Sequence, residues 1–341
     1  MRLHIVAVTT LVLSCPFISD AGSISQLVVF GDSLSDNGNA AFALGGKLPG
    51  NYAPNALTDG PNTTPPTNGP LGLWIDQFAP KLGVPDPQPF VAGGTNYAVA
   101  SAKTGHNASF APPVPPALPT SVPYVTDQVG LYLASMTPSA TSLYIFWAGS
   151  NDINGAGNPV TAADNIFANI QTLAGSGAKQ FLWVNEPPLG ATPAGKASGQ
   201  VAALTAASNA FNAEWAIDIA ALKAKGIAVT GVDVNNLFLQ IAANPSAFGF
   251  ANATDPAWCG TGGLPNCATN NPNQFVFWDQ EHPTTAADAQ IATLAYNTLQ
   301  GTSVGPAAAP EPGTLGLSFA GFFCVAAATM RRRSAKLRRS V

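Results

Sequence analysis

Two hydropathy rhythms alternate along the chain. Residues 26–30 form a short β-branched run that ends at Gly31, and residues 143–147, 180–185 and 227–232 are similar apolar runs. Each is too short for a helix, so the pattern predicts strands. Between them the spacing turns helical. Leu73, Trp74, Phe78 and Leu82 share one face of a predicted helix over 73–82. Further helices are predicted over 129–136, 162–174, 198–225, 234–243 and 284–299, with Gly226 closing the long alanine-rich one and Pro283 opening the last.

Strands that are apolar throughout, alternating with helices, predict a parallel sheet covered on both faces. No internal repeat and no second composition regime interrupts the pattern. One domain is therefore expected over residues 22–302. Two irregular stretches break it, residues 49–70 and the proline-rich 111–123. Segments this long in a compact domain are surface decoration or the wall or lid of a site. Both readings stand at this stage.

The two ends follow another logic. Arg2 precedes an apolar run from Ile5 to Leu13, and Ser19 and Ala21 are spaced like a signal-peptidase site. Residues 1–21 thus read as a secretory signal, with Gly22 the first mature residue. Cys15 gives a weaker lipoprotein-like alternative, which Leu13 and Pro16 fit badly. At the other end, Pro310-Glu311-Pro312 leads into an apolar segment, 315–330, and a basic end, 331–339. This order predicts a membrane stop with its positive end in the cytoplasm. It resembles a PEP-CTERM sorting tail, which implies transient membrane association, processing by a membrane sortase near Pro310, and delivery to the surface or matrix of a bacterium. The linker and tail occupy 303–341.

Composition sharpens this picture. Of 341 residues, 46% are hydrophobic and 9% charged, enough for a large core. With both ends set aside, sixteen acids face seven lysines and no arginine, a formal charge of −9. That balance leaves no basic patch for nucleic acid. Of the four cysteines, Cys259 and Cys267 lie in the expected domain, and in an exported protein they predict one disulfide. A metal site there lacks further ligands at suitable spacing.

The chemistry narrows by elimination. A serine nucleophile needs a base and oxyanion donors. Once the signal is removed, His106 and His282 are the remaining histidines. Asp279 stands three residues before His282, close enough to accept its Nδ1 proton. Glu281 is the competing carboxylate, and His106 has no near acidic neighbour in sequence. No G-x-S-x-G elbow occurs. Ser33 instead follows the first strand, in Gly31-Asp32-Ser33-Leu34, and the ends of parallel strands are where α/β sheets bind ligands. Gly93-Gly94 with Asn96-Tyr97-Ala98, and Gly149-Ser150-Asn151-Asp152, offer neutral donors. Taken singly, each segment is also an ordinary turn.

Together and in this order, these four blocks resemble the GDSL, or SGNH, hydrolase family. The resemblance implies a flavodoxin-like three-layer α/β/α sandwich with a central five-stranded parallel sheet. It implies Ser33 as nucleophile, His282 as base and Asp279 as its orienting acid. The oxyanion hole would comprise the Ser33 and Gly94 N–H groups and the Asn151 side chain, with Gly93 the rival to Gly94. Asp36, Asn37 and Asp152 would be structural hydrogen-bonders. No metal or organic cofactor is needed. The expected activity is hydrolysis of carboxylic esters by a secreted esterase or lipase, on a lipid, short-chain ester or acetylated glycan. A polysaccharide O-acetylesterase, a lipid acyltransferase and a non-catalytic surface or matrix protein are the alternatives.

Overall fold

The computed structural model describes residues 24–59, 72–111, 121–258 and 271–301. The expected signal, the cysteine pair Cys259–Cys267 and the sorting tail lie outside the described residues. In chain order the elements are β1 (Gln26–Gly31), α1 (Asn39–Ala43), α2 (Trp74–Leu82), α3 (Val125–Ser135), β2 (Ser142–Trp147) and α4 (Ser150–Asn154). There follow α5 (Pro159–Gly175), β3 (Gln180–Val184), α6 (Pro193–Ala197), α7 (Val201–Ala224), β4 (Ala228–Val232) and α8 (Val234–Ala243). A small pair, β5 (Asn252–Pro256) and β6 (Phe275–Phe277), precedes α9 (Thr285–Leu299).

β1 to β4 form one parallel sheet in the order β1-β2-β3-β4. Successive strand residues feed opposite faces. Leu27, Val29 and Ile145 pack with Trp74, Phe78, Phe238 and Ile291, beneath α2, α8 and α9. Val28, Phe30, Tyr144 and Phe146 pack with Tyr132, Ile166, Ile170, Phe211 and Leu222, beneath α3, α5 and α7. The result is the expected three-layer α/β/α sandwich. Burial on both faces is why the strands read as unbroken apolar runs.

The sheet has four strands, where five were expected. The fifth position, beside β1, is held by residues 95–99. Val29 donates to Thr95 O at 3.0 Å, Tyr97 to Val29 O at 2.7 Å and Val99 to Gly31 O at 3.1 Å. The ladder breaks at Gly31, whose N–H would continue it to Tyr97 O but donates to Gln128 Oε1 at 2.9 Å instead. Asn39 Nδ2 donates to Asn96 O and Ala98 O, and the Ala98 N–H donates to Asn96 Oδ1.

Helix boundaries moved where caps decide them. α5 begins at Pro159 because the Asn158 side chain accepts from Val160 N and Thr161 N. α3 begins at Val125, four residues before the apolar pattern, because Asp127 accepts from Tyr124 N. The long helix expected over 198–225 is α7, and the short α6 before it was not expected. The end of β1 is pinned tightly. A Cβ on Gly31 would meet Trp147 O at 2.3 Å, so only glycine lets the two strand ends approach this closely. Gln128 of α3 completes the clamp, accepting from Gly31 N at 2.9 Å and donating to Gly31 O at 2.8 Å.

Candidate active site

The chain leaves β1 through a tight turn at Asp32. Leu34 N donates to Asp32 Oδ1, and Ser35 N and Asp36 N donate to Asp32 O. This turn lifts Ser33 above the sheet, half-buried. The buried Asp36 carboxylate then fixes the segment by accepting from Gly38, Asn39, Ala40 and Ala100 N–H groups, at 2.7–3.0 Å. Asn37 and Asn96 lock in behind it, Asn96 Nδ2 donating to Asn37 Oδ1 at 2.8 Å.

A second tight loop, between β6 and α9, supplies the partner. Trp278 N donates to His282 O at 2.8 Å, closing the loop on itself. Asp279 Oδ1 accepts from the backbone N–H groups of Glu281 and His282, at 2.8 and 2.7 Å. Its Oδ2 lies 2.7 Å from His282 Nδ1. A carboxylate there can only accept, so it fixes a proton on Nδ1 and, in the neutral ring, leaves Nε2 as an acceptor. Nε2 stands 2.9 Å from Ser33 Oγ. Ser33, His282 and Asp279 therefore form one continuous hydrogen-bonded chain, across 249 residues of sequence.

The electrostatics follow from burial and pairing. Burial alone pushes His282 down, but the Asp279 charge and hydrogen bond, with Glu281 and Asp32, overcome it and hold the pKa at about 9. Burial would raise Asp279. His282 and three hydrogen bonds reverse that and bring it to about 2. Asp32 is 1% exposed, and burial pushes it up to about 7.

Asn151 lies in the first turn of α4, just after β2, beside Ser33 in the same cleft. Its Nδ2 donates to Ala102 O at 3.0 Å and, more weakly, to Asp32 Oδ2 at 3.3 Å. Asp152 holds the adjoining loop, accepting from Thr104 N and Oγ1. Gly94 is not brought to Ser33. Its N–H donates to Pro89 O at 3.0 Å, and a Cβ would meet Gln88 O at 2.0 Å. This glycine serves a close backbone crossing. The segment that does reach this end of the sheet is residues 99–102, tied to Asp36 through Ala100 N–H and to Asn151 through Ala102 O. Within it Ser101 holds φ at 67°, a left-handed conformation uncommon for a residue with a side chain.

Neither rival group joins the hydrogen-bonded chain, although Glu281 lines the same cleft. Glu281 is exposed and accepts from Asn154 Nδ2 at 3.2 Å. His106 is exposed too, and it does have an acidic partner, Asp127, which its Nδ1 meets directly. That aspartate lies 21 residues away, beyond local inspection. Sequence reasoning also missed Tyr52, whose hydroxyl donates to Asp279 Oδ2 at 2.6 Å. It comes from the irregular stretch 49–70, part of which thus walls the site. Glu186, fully buried, accepts from the Ser150 hydroxyl next to Asn151.

The cleft above Ser33 is open to solvent and holds about 480 Å³ of free space, open solvent included. Its walls are Leu34, Trp147, Pro187, Leu189, Phe238 and Phe277. A second, shallow hollow, about 290 Å³ with open solvent included, shares Pro187, Thr192, Phe238 and Phe277 with it and adds Ile241, Ala253 and Val276.

Comparison with known proteins gives a consistent picture. A family model described as GDSL-like lipase/acylhydrolase matches residues 27–295. The chain is 28% identical over 311 residues to a Pseudomonas putida protein encoded in a trpE-trpG intergenic region, covering 85% of this chain and 51% of the relative. It is 27% identical over 325 residues to a GDSL esterase/lipase of Arabidopsis thaliana, covering 82% and 88%. It is 30% identical over 292 residues to the thermolabile hemolysin of Vibrio parahaemolyticus, covering 79% and 62%. The chain thus spans about half of the first relative and less than two thirds of the third.

Proposed function

The chain belongs to the GDSL-like lipase/acylhydrolase family, and on that premise we propose that it hydrolyses carboxylic esters through an acyl-enzyme on Ser33. The observation that carries this reading is the hydrogen-bonded chain Ser33–His282–Asp279 at the mouth of an apolar cleft. His282 Nε2 takes the proton of Ser33 Oγ as the oxygen attacks the ester carbonyl. Asp279 keeps the imidazole oriented and stabilises its charged form. The alcohol leaves with the proton from His282. A water then gives its proton to His282 and attacks the acyl-enzyme, releasing the acid and restoring Ser33.

The oxyanion is held by the Ser33 N–H and by Asn151 Nδ2, which gives up its long bond to Asp32. A backbone N–H of residues 99–102 takes the place that Gly94 does not fill. Asn151→Ala should lower kcat by about 10²–10³, roughly 3 kcal/mol. KM should change little, because the developing charge exists only in the transition state. Steady-state kinetics on a p-nitrophenyl ester check this; a loss confined to KM would contradict it.

The pH profile tests the base. A histidine held at about 9 is protonated, and unable to accept from Ser33, at neutral pH. kcat/KM should therefore rise with pH to a plateau above about 9. A profile already flat between about pH 6 and 8 would contradict the raised pKa of His282. Tyr52→Phe removes one donor from Asp279 Oδ2 and leaves more of the carboxylate's charge for His282. It should move the rising limb to higher pH; a downward shift would exclude this role for Tyr52.

The apolar walls and the adjoining hollow favour esters with an apolar acyl chain, each buried methylene contributing about 0.8 kcal/mol. A panel of p-nitrophenyl esters from acetyl to long acyl would locate the optimum, and release of acetate alone would instead favour a deacetylase. Export is part of the same reading, supported by the patterns at residues 1–21 and 303–341. Among the described residues no helix is long and apolar enough to cross a membrane. The apolar segment 315–330 lies outside them.

A further inference from the structure

α5 and α7 run against each other on the face of the sheet that also carries α3. Asp164 projects from α5. Glu214 and Asp218 stand one turn apart on α7 and so share a face. One carboxylate oxygen from each of the three lies within 4.8 Å of the others. Asp218 is 5% exposed, and its Oδ2 is buried with no hydrogen-bond partner. Among the described residues the ion pairs are His106–Asp127 and His282–Asp279, so no cationic side chain neutralises this cluster. The lysine beyond the end of α7, Lys225, lies over the Phe167 ring of α5.

A buried carboxylate with an unpartnered oxygen, beside two further carboxylates, is unfavourable unless something compensates it. Burial, then the charges of Asp164 and Glu214, push Asp218 up to about 6. The donors are all hard oxygens, which excludes soft-metal chemistry. Asp164 is exposed and leaves one side of the cluster open to water. Calcium suits such a site, because it accepts irregular oxygen shells completed by solvent, whereas magnesium demands a near-ideal octahedron.

We propose that Asp164, Glu214 and Asp218 form a calcium site that clamps α5 to α7. The clamp bears on the candidate active site through α7. Asn212, two residues before Glu214, holds Glu186 by both its N–H and its carbonyl, each at 2.9 Å. Glu186 in turn receives the Ser150 hydroxyl beside Asn151. The site is independent of the hydrolytic reading, since its readout is stability with no ester turned over.

The test is thermal unfolding of the full chain after EDTA treatment, with calcium chloride as the added cation. At a hundredfold excess over its Kd, calcium should raise the midpoint by about 5 °C. Asp218→Asn should abolish the shift. Asp164→Asn, at an exposed position where folding is not at stake, should weaken calcium affinity at least about tenfold. Isothermal titration should find one calcium bound at this cluster in the wild type and lost in Asp218→Asn. A midpoint that calcium leaves unmoved, or equal shifts in the wild type and Asp164→Asn, overturns the proposal.

Discussion

Ser33→Ala should abolish ester hydrolysis, lowering kcat on the order of 10⁶-fold, with the folded state intact. The size of the loss follows from the hydrogen-bonded chain. Ser33 Oγ is the end of a relay whose other members have no second nucleophile to offer, so removing it leaves only what oxyanion donors and binding can do for water. Stability should hardly change. The side chain is half-buried, its hydroxyl bond is to His282 Nε2, and alanine fits wherever serine does. The turn itself is set by Asp32 and Asp36. Circular dichroism and the unfolding midpoint should therefore match the wild type while p-nitrophenyl butyrate goes uncleaved. Activity within tenfold of the wild type would remove Ser33 from the mechanism.

Asp279→Asn should cost about 10⁴ in kcat. The carboxylate serves four donors: two backbone N–H groups on Oδ1, and His282 Nδ1 and the Tyr52 hydroxyl on Oδ2. An asparagine can keep the two backbone bonds with its carbonyl oxygen. Its amide then faces His282 and donates where the carboxylate accepted. The ring is driven to carry its proton on Nε2, and it can no longer receive one from Ser33. The loop stays in place, so the deficit belongs to the tautomer and not to folding. Single-turnover kinetics from about pH 6 to 10 separate the two, because a merely lowered base pKa would leave the ring free to act near neutral pH and a wrong tautomer would stay inactive throughout. Recovery to within tenfold would contradict the orienting role of Asp279.

Much of this was legible in the chain itself. The layered architecture could be read because strands buried on both faces lose their alternation and stand out from the amphipathic helices. Ser33 and the pair Asp279–His282 could be read because each is a local feature, a strand exit or a three-residue spacing. What escaped depends on contacts between distant segments. Tyr52 lies 227 residues from Asp279, in a stretch without periodicity, and nothing near it marks it as a donor. Gly94 was misread because a glycine beside a block of asparagine and tyrosine serves a backbone crossing as well as an oxyanion hole. Only its contact with Gln88 separates the two uses. The fifth strand failed to form because the Gly31 N–H, the next donor in its ladder, goes to the Gln128 side chain, a contact between distant segments that hydropathy does not record. The buried carboxylate of Asp218 escaped for a similar reason, since its neighbour Asp164 belongs to another helix.

Covalent labelling asks most directly whether this site has an activated serine. A fluorophosphonate probe should add once to the wild-type chain, and peptide mass spectrometry should place the adduct on Ser33. Labelling should vanish in Ser33→Ala and fall sharply in His282→Ala. An adduct on another residue, or labelling of Ser33→Ala equal to that of the wild type, would contradict a nucleophile at Ser33.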